Sequence, residues 1–516
     1  MEKHRESAAL KVALFATGCA GIVAEYVLST LATYLIGNAI FQWTMVMSLM
    51  LFAMGVGSRI SRFFTRHLLE VFILIEFGLS ILCAMSAEVA YGLSPYTSYI
   101  GLVIYAQAFV IGVLIGLEIP IVTRLNDAYE ELRTNISAIM EKDYYGALLG
   151  GLVFAFFALP HLGLTYTPII LGSINFSVAA FLLWRFFGLV RNRKTVMTAF
   201  VLSCVMLGTI GALARPIIQY GEQKKYKDKI IYARQTPYQK IVLTQWKSFY
   251  WLYINGQEQF STFDEEKYHE PLVHPAMTFS PAPQHVLILG GGDGLALREV
   301  LQYEAVQSVT LVDIDPEMTE LAATHEVFQK INNRSMQEPR LTVVNQDACK
   351  FLEITDRLYN VVIVDLPDPD SIDLMHVYSQ TFYELIRTHL TKGGIMTVQA
   401  TSPYFSKNAF LCILKTIRHC GFSAVPYHNQ VPTMGEWGWV LAVKAGDLDE
   451  TRLKESLGKL QFSHVATRFL NQDAMIAMIH FGKGILEPEY MEPIEINTQI
   501  NPVLYRYYLK GSWGVY

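Results

Sequence analysis

Five aspartates dominate the chemistry of this sequence: Asp293, Asp313, Asp347, Asp365 and Asp368. Each follows a short apolar run, in "HVLILGGGDGLALREV", "SVTLVDID", "LTVVNQD" and "NVVIVDLPDPD". The first lies inside a glycine loop. Gly290, Gly292 and Gly294 give G-x-G-x-G, and Leu295 stands where a dinucleotide loop would place its last glycine. Such loops let backbone N–H groups approach a pyrophosphate. A carboxylate at Asp293 would repel one and attract a cation, so the loop disfavours a dinucleotide and favours a positively charged nucleoside. Asp313, about twenty residues further on, stands where nucleoside-binding folds hold ribose hydroxyls. Asp347 is placed to meet an adenine amino group, or to cap a helix. Asp365 and Asp368 share one turn, where two carboxylates can hold a cationic substrate or one can take its proton.

These residues need a scaffold that brings strand ends together. From residue 285 the chain alternates strands and helices, the pattern of a doubly wound α/β sheet, whose ligands sit at the carboxyl ends of the strands. "GGIMTVQA" and "WGWVLAV" read as later strands, and a helix is expected from about 295. Upstream, "KIVLTQW" and "YWLYI" lead to Asn255-Gly256 and "QEQFS", a hairpin signal. "DEEKYHEPLVHPAM", residues 264–277, reads as a helix.

The first 220 residues are different. The whole chain has 516 residues, 52% hydrophobic and 17% charged, and the apolar excess is concentrated there. Spanning helices need about 20 mostly apolar residues. Seven candidates occur, at 8–33, 39–58, 70–92, 98–123, 144–163, 166–188 and 196–218. Lys3 and Arg5, then Arg59, Arg62 and Arg66, then Arg124, Arg133 and Lys142, then Arg185, Arg191, Arg193 and Lys194 mark alternate connections. That bias places the N-terminus in the cytoplasm. Seven spans would then deliver the α/β part outside, whereas supply of a nucleoside cofactor favours the cytoplasm. Glu25, Glu76, Glu88, Glu118 and Asp143 fall within or at the ends of apolar segments, where ionisable groups are functional candidates or structural hydrogen-bonding groups. Glu118 sits beside Pro120, a helix-disturbing position at which a buried acid would bind a cation. The expected division is a helical membrane domain at 1–220, a small β-hairpin module at 228–263 and a Rossmann-like, methyltransferase-type domain at 264–516.

Cys19, Cys83, Cys204, Cys349, Cys412 and Cys420 form no C-x-x-C pair and no zinc spacing, so they read as buried thiols, and no metal ligands are named. Cys19 lies in an uninterrupted apolar stretch and is read as part of a membrane helix, not of a cleaved leader. A net charge of -5 without a basic, aromatic-interleaved run disfavours nucleic acid as a partner.

The α/β part resembles the spermidine synthases, the polyamine aminopropyltransferases. The matching stretches, in order, are "YQKI" (Tyr238, Gln239), "NGQEQFSTFDEEKYHEPLVHPAM", "GGGDGLALREV", "VDID", "NQDACKFL", "DLPDP" and "VYSQTFYE", across roughly 230–445. With "VPTMGEWGWVLA" and "INPVLYRYYLKGSW", the whole chain looks like the membrane-integrated branch of that family. The resemblance implies decarboxylated S-adenosylmethionine as co-substrate, an acceptor amine such as putrescine, methylthioadenosine as by-product, no permanently bound cofactor, and a homodimer. By motif, Gln239 and Asp293 would lie along the aminopropyl tail, with Gly290, Gly292 and Gly294 forming the loop. Asp313 would hold the ribose and Asp347 the adenine. Tyr268 and Asp365 would orient and deprotonate the amine, helped by Asp368, with Gln259 and His269 lining the cleft.

Two departures bear on the acceptor. Leu366-Pro367 replaces the small hydroxylated pair common between the two aspartates. Thr433-Met434-Gly435-Glu436-Trp437 replaces a Thr-Tyr-Pro-Ser-Gly whose tyrosine faces the amine, leaving Glu436 as a substitute cation partner. Two other readings compete. One is a methyltransferase using ordinary S-adenosylmethionine, against which Asp293 argues. The other is a polyamine transporter or sensor with a degenerate synthase domain, against which the retained acids argue.

Overall fold

The computed structural model describes residues 2–37, 39–97, 99–444 and 448–513. It divides into two compact units, Met1–Lys229 and Ile230–Tyr516.

The first unit is helical: α1 (Glu2–Ile36), α2 (Ala39–Ile60), α3 (Leu68–Ala84), α4 (Ser86–Leu93), α5 (Ile100–Asn126), α6 (Leu132–Val153), α7 (Gly163–Arg185) and α8 (Arg193–Lys225). Among the described residues, six helical stretches are long and apolar enough to cross a membrane. Seven separate segments were expected. The difference arises because 144–163 and 166–188 belong to one run, Leu132–Arg185, of 54 residues. A straight helix of that length would measure about 80 Å, more than twice a bilayer core. It is not straight. Phe154–Leu162 is wound as a π-helix, and Gly163 leaves helical geometry at φ 60°, ψ -170°. Large apolar side chains face outward, among them Leu51, Phe52, Leu102 and Phe156. Exposed apolar patches of that size mark a surface that another apolar phase or partner would cover. Inside, small residues let backbones touch. A Cβ on Gly116 of α5 would lie 2.6 Å from Met54 Cα of α2.

The second unit begins with an antiparallel sheet in the order β1 (Lys229–Gln235), β2 (Lys240–Trp246), β3 (Phe249–Ile254), β4 (Gln257–Ser261). The β3–β4 turn is Asn255-Gly256, with φ of 53° and 85°, the two positive values that a tight hairpin turn requires. Helix α9 (Glu266–Phe279) follows, then β5 (His285–Gly290), α10 (Leu295–Val300), β6 (Ser308–Asp313), β7 (Leu341–Asn345), β8 (Tyr359–Asp365), β9 (Leu390–Gln399), β10 (Phe422–Val431) and β11 (Gly435–Lys444), with further helices between and after the strands. The sheet order is β10-β11-β9-β8-β5-β6-β7. β5 to β9 run parallel, while β11 joins β9 antiparallel and β10 joins β11 antiparallel. The sheet is therefore mixed, and β10 is a strand that the α/β alternation did not announce. Its run "FSAVPYHNQV" carries a proline and polar residues that hide the strand pattern.

Cys83, Cys349, Cys412 and Cys420 are buried, as expected of apolar thiols; Cys19 is half-buried and Cys204, on α8, is exposed.

The glycine contact yields a test. Gly116→Leu forces α2 and α5 apart and is expected to destabilise the detergent-purified protein by about 3 kcal/mol or more. Gly208→Ala, at a position with open space around it, is expected to leave stability unchanged or raised by up to about 1 kcal/mol. Thermal unfolding of the two variants beside wild type checks both.

Candidate active site

In the second unit the strand order reverses between β5 and β8, so their carboxyl ends form the crevice where an α/β sheet binds its ligand. The two strands pair with Gly290 opposite Asp365. Gly291 N–H donates to the Asp365 carbonyl at 3.0 Å. The loop then turns through Gly290, Gly291 and Gly294, with φ of 84°, 61° and 81°. Gly292 is glycine for a different reason: a Cβ there would lie 2.5 Å from Asp313 Oδ2, the same oxygen that accepts the Gly292 N–H at 3.1 Å. Asp293 accepts Leu295 N–H at 2.8 Å, at the start of α10. The loop thus brings Asp293, Asp313 and Asp365 into one pocket.

Tyr268 reaches this pocket from α9. Its hydroxyl donates to Asp365 Oδ1 at 2.8 Å. α9 contains Pro271 and Pro275, which cannot donate to the carbonyls one turn back, at Lys267 and Pro271. β10 supplies both missing donors. Asn429 Nδ2 reaches the Lys267 carbonyl at 3.0 Å and the Tyr427 hydroxyl reaches the Pro271 carbonyl at 2.8 Å. Before α9, Asp264 accepts Thr433 N–H at 2.8 Å and Thr433 Oγ1 at 2.9 Å. The unforeseen strand and its turn therefore hold the helix that aims Tyr268.

Under Tyr268, His269 Nδ1 meets Glu265 Oε2 at 3.1 Å. Arg298 reaches the same carboxylate at 2.8 Å, and Arg468 meets its other oxygen. Burial alone would raise Glu265, but His269 and Arg298 bring it well below the usual carboxylate range. Burial alone would lower His269, but Glu265 holds it above the usual imidazole range. The pocket acids behave oppositely. Burial, with the neighbouring Asp293 charge adding to it, pushes Asp365 up to about 6 against the pull of His269 and Tyr268. Burial also pushes Asp313 up to about 6 and raises Asp293.

Asp368 lies deeper. It accepts Gln399 Nε2 at 3.2 Å, Thr401 Oγ1 at 3.1 Å and the Tyr508 hydroxyl at 2.9 Å. Burial nonetheless pushes it up to about 7. Gln399, Thr401 and Tyr508 were not foreseen. The first two lie at and just after the β9 strand end, a place where functional residues gather. Tyr508 comes from the helix Leu504–Leu509 near the end of the chain, and its spacing from the other residues carries no local signal.

Asp347 caps the helix Ala348–Ile354 through Lys350 N–H at 3.0 Å. Its other oxygen meets His376 Nε2 at 2.8 Å. His376, Asp347 and Cys349 have potential ligand atoms within 4.8 Å of one another. The carboxylate is already engaged by His376, and the Cys349 thiol points at the His376 carbonyl. Gln239 lies in the β1–β2 turn. That turn is tied to the end of β6 by Thr236 Oγ1 donating to Asp315 Oδ2 at 2.8 Å. Gln259 is on β4, two residues from Gln257, whose amide donates to Asp370 Oδ2 at 2.9 Å.

Glu436 is not brought to Tyr268. Along β11, Trp437 and Trp439 contact the Tyr268 ring, with centroids at 6.4 and 5.6 Å. Alternate strand residues point to opposite faces, so Glu436 turns away and pairs with His428 Nδ1 at 2.8 Å. On the Tyr268 side β11 instead presents the ring of Trp437, and Met434, just before the strand, packs against the same apolar core.

The Asp368 environment predicts a pH-dependent stability change. A carboxylate raised in the folded state stabilises fully below its ordinary range near 4, and that contribution is lost as pH rises through about 7. Asp368→Asn removes the penalty of burying the charge, about 4 kcal/mol by the size of the shift. The variant is expected to melt several degrees above wild type at pH 8, with the gap narrowing at pH 5.5. Thermal unfolding at the two pH values checks it, and a constant gap would refute this account of Asp368.

Residues 265–455 match the family described as "Spermine/spermidine synthase domain". Polyamine aminopropyltransferase 2 of Aquifex aeolicus (strain VF5) is 42% identical over 506 residues, covering 98% of this chain and 99% of its own. Polyamine aminopropyltransferase of Leptospira interrogans is 35% identical over 505 residues, covering 97% and 98%. Among solved structures, spermidine synthase from Thermotoga maritima aligns with a TM-score of 0.44 at 22% identity, over 51% of this chain and 87% of that one. The two curated relatives match nearly end to end, through both the helical unit and the α/β unit, and on that ground the chain belongs to the polyamine aminopropyltransferase family.

Proposed function

We propose that the second unit moves the aminopropyl group of decarboxylated S-adenosylmethionine to a polyamine acceptor such as putrescine and releases methylthioadenosine. The observation that carries this reading is the Tyr268–Asp365 hydrogen bond of 2.8 Å, set at the switch point beside a glycine loop that bears an acid. The amine nitrogen attacks the methylene next to the sulfonium. A C–N bond forms, the C–S bond breaks, and its electron pair neutralises the sulfur. Only a neutral amine is a nucleophile, and Asp365 takes the proton. Tyr268 fixes which oxygen of Asp365 faces the amine. Holding nitrogen and methylene in line supplies much of the acceleration, and no metal is required for a leaving group that departs neutral.

The remaining residues divide by chemistry. Asp293 and Gln239 receive the aminopropyl tail, whose ammonium suits Asp293 and whose carboxylated parent does not. Asp313 takes the ribose hydroxyls and Asp347 the adenine amino group. Asp368, Gln259 and His269 line the acceptor end. Apolar Trp437 and Met434 favour the methylene stem of the acceptor where relatives with a tyrosine offer a hydroxyl. We place the chain as a multi-pass protein of the inner membrane with its α/β unit in the cytoplasm, where the nucleoside is made, and as a homodimer by analogy with its family. The apolar outer surface of the helical unit supports the first assignment.

Purified protein in detergent, given decarboxylated S-adenosylmethionine and a panel of diamines, is expected to yield an aminopropylated amine and methylthioadenosine by mass spectrometry. Asp365→Asn should lower the rate at least about 100-fold, and Tyr268→Phe about tenfold. Because Asp365 must be ionised and burial holds it at about 6, kcat/KM should fall as pH drops through about 6. Methylated product from ordinary S-adenosylmethionine would replace this reading with a methyltransferase.

Tyr508 allows a separate measurement. Tyr508→Phe deletes one of the three donors to Asp368 and is expected to raise KM for the amine about fivefold with a smaller effect on kcat. Steady-state kinetics with varied acceptor checks the split.

A further inference from the structure

The helical unit has an electrostatic peculiarity of its own. Among its described residues the buried carboxylates are Glu25, Glu70, Glu76, Glu88 and Glu118, and none of the described lysines, arginines or histidines of the unit is buried. Glu70 is accounted for by Arg191 N–H at 2.8 Å and by His67. Glu76 is not. It is 0% exposed, and neither of its carboxylate oxygens has a hydrogen-bond partner. Glu118 is 2% exposed, and its Oε1 also lacks a partner. The two come from α3 and α5 and lie within electrostatic reach of each other, and Glu118 also within reach of Asp143 on α6.

Other unpaired oxygens lie further along α3 and on α7, which packs against it. Ser80 follows Glu76 by one turn on α3, on the same helix face, and its buried Oγ has no partner. Asn175 of α7 places its Nδ2 3.9 Å from Cys83 Sγ, and its buried Oδ1 has none. Cys83, seven residues after Glu76 on α3, is itself within electrostatic reach of both glutamates. Thr17 of α1 lies beside Glu118. The unsatisfied atoms are therefore all oxygens able to accept. Buried charges are costly unless paired, by several kcal/mol each, and intramembrane acids of this kind mark ligand or ion pathways. What the site lacks is a positively charged group rich in donors. A primary ammonium has three donors and no acceptor.

We infer that Glu76 and Glu118, with Asn175 and Ser80, form a binding site inside the helical unit for a primary ammonium group of a polyamine. The choice of an organic ammonium over a metal cation rests on the aminopropyltransferase reading of the second unit, whose substrates and products are amines. The site is separate from the Asp365 pocket: its residues lie on α3, α5 and α7 and include none of those assigned to transfer.

The test is the number of labelled spermidine molecules bound per chain, by equilibrium dialysis of the full protein in detergent without decarboxylated S-adenosylmethionine. Wild type is expected to bind two. Glu76→Gln and Glu118→Gln are each expected to bind one, while aminopropyl transfer stays within twofold of wild type and reports an intact fold. In a second measurement, independent of how those variants fold, Asp365→Asn/Asp368→Asn protein is expected to retain one equivalent. Zero equivalents there, or a single equivalent in wild type that the Glu76 change does not alter, overturns the proposal. A Glu76-dependent site that takes labelled sodium and not spermidine overturns the ammonium assignment. Glu76-dependent spermidine binding by a wild-type protein that transfers no aminopropyl group upholds the site and refutes the transferase reading instead.

Discussion

The parallel pairing of β5 with β8, with Gly290 opposite Asp365, is the constraint on which the second unit depends. A side chain at Gly290 would run into the Asp365 backbone, so the residue that lets the strands close is also the one that opens the loop. The close approach delivers Asp365 to the switch point and turns the loop so that Gly292 meets Asp313 and Asp293 enters the same pocket. A shift of one residue between these strands would turn every side chain to the other face and separate the three acids. The apolar runs of β5, β6 and β8, buried along most of their length, hold that register.

Given this placement, electrostatics sorts the carboxylates into two kinds. Glu265 is buried yet low, because His269 and Arg298 neutralise it. Asp368 is buried and Asp365 half-buried, and both are high, because their partners are hydroxyls, amides and distant charges. The first kind is structural: it locks α9 to α10. The second kind stores a desolvation cost; under the proposed reaction a cationic substrate would relieve it, and affinity for an amine and proton affinity at Asp365 would have a common origin. Preorganised groups that meet charge only in the complex are the usual source of such rate effects.

Much of this was legible in the chain. Strand ends carrying acids, the acid inside the glycine loop and the Asn-Gly hairpin are local signals, and each sits where its pattern implied. Tyr268 was placed through motif resemblance, and its bond to Asp365 agrees with that placement. What escaped depends on contacts distant in sequence. β10 was hidden because its strand pattern is interrupted, yet Asn429 and Tyr427 supply the donors that Pro271 and Pro275 remove. Tyr508 is 140 residues from Asp368, a separation that no periodicity spans. Glu436 was expected in the cleft from the motif it occupies; strand alternation turns it from the face where Trp437 and Trp439 meet Tyr268, and it pairs with His428. The expected fifth and sixth segments fall in one helical run, Leu132–Arg185, because the π-helix Phe154–Leu162 leads directly into α7 across the gap that hydropathy marks.

The two units present the same physical problem twice. In each, carboxylates are at least half withdrawn from water with no ion pair made to them: Asp365 and Asp368 in one, Glu76 and Glu118 in the other. Their settings differ in a way that bears on role. Asp368 is held by three donors and Asp365 by a tyrosine, which fixes their oxygens for a reaction that needs alignment. Glu76 has no donor at all, so no hydrogen bond orients its oxygens before a cation arrives. A rigid carboxylate suits a proton acceptor that must meet a nitrogen in one direction. An unrestrained one suits a group that binds and releases, since no hydrogen bond made within the protein has to be broken for either step.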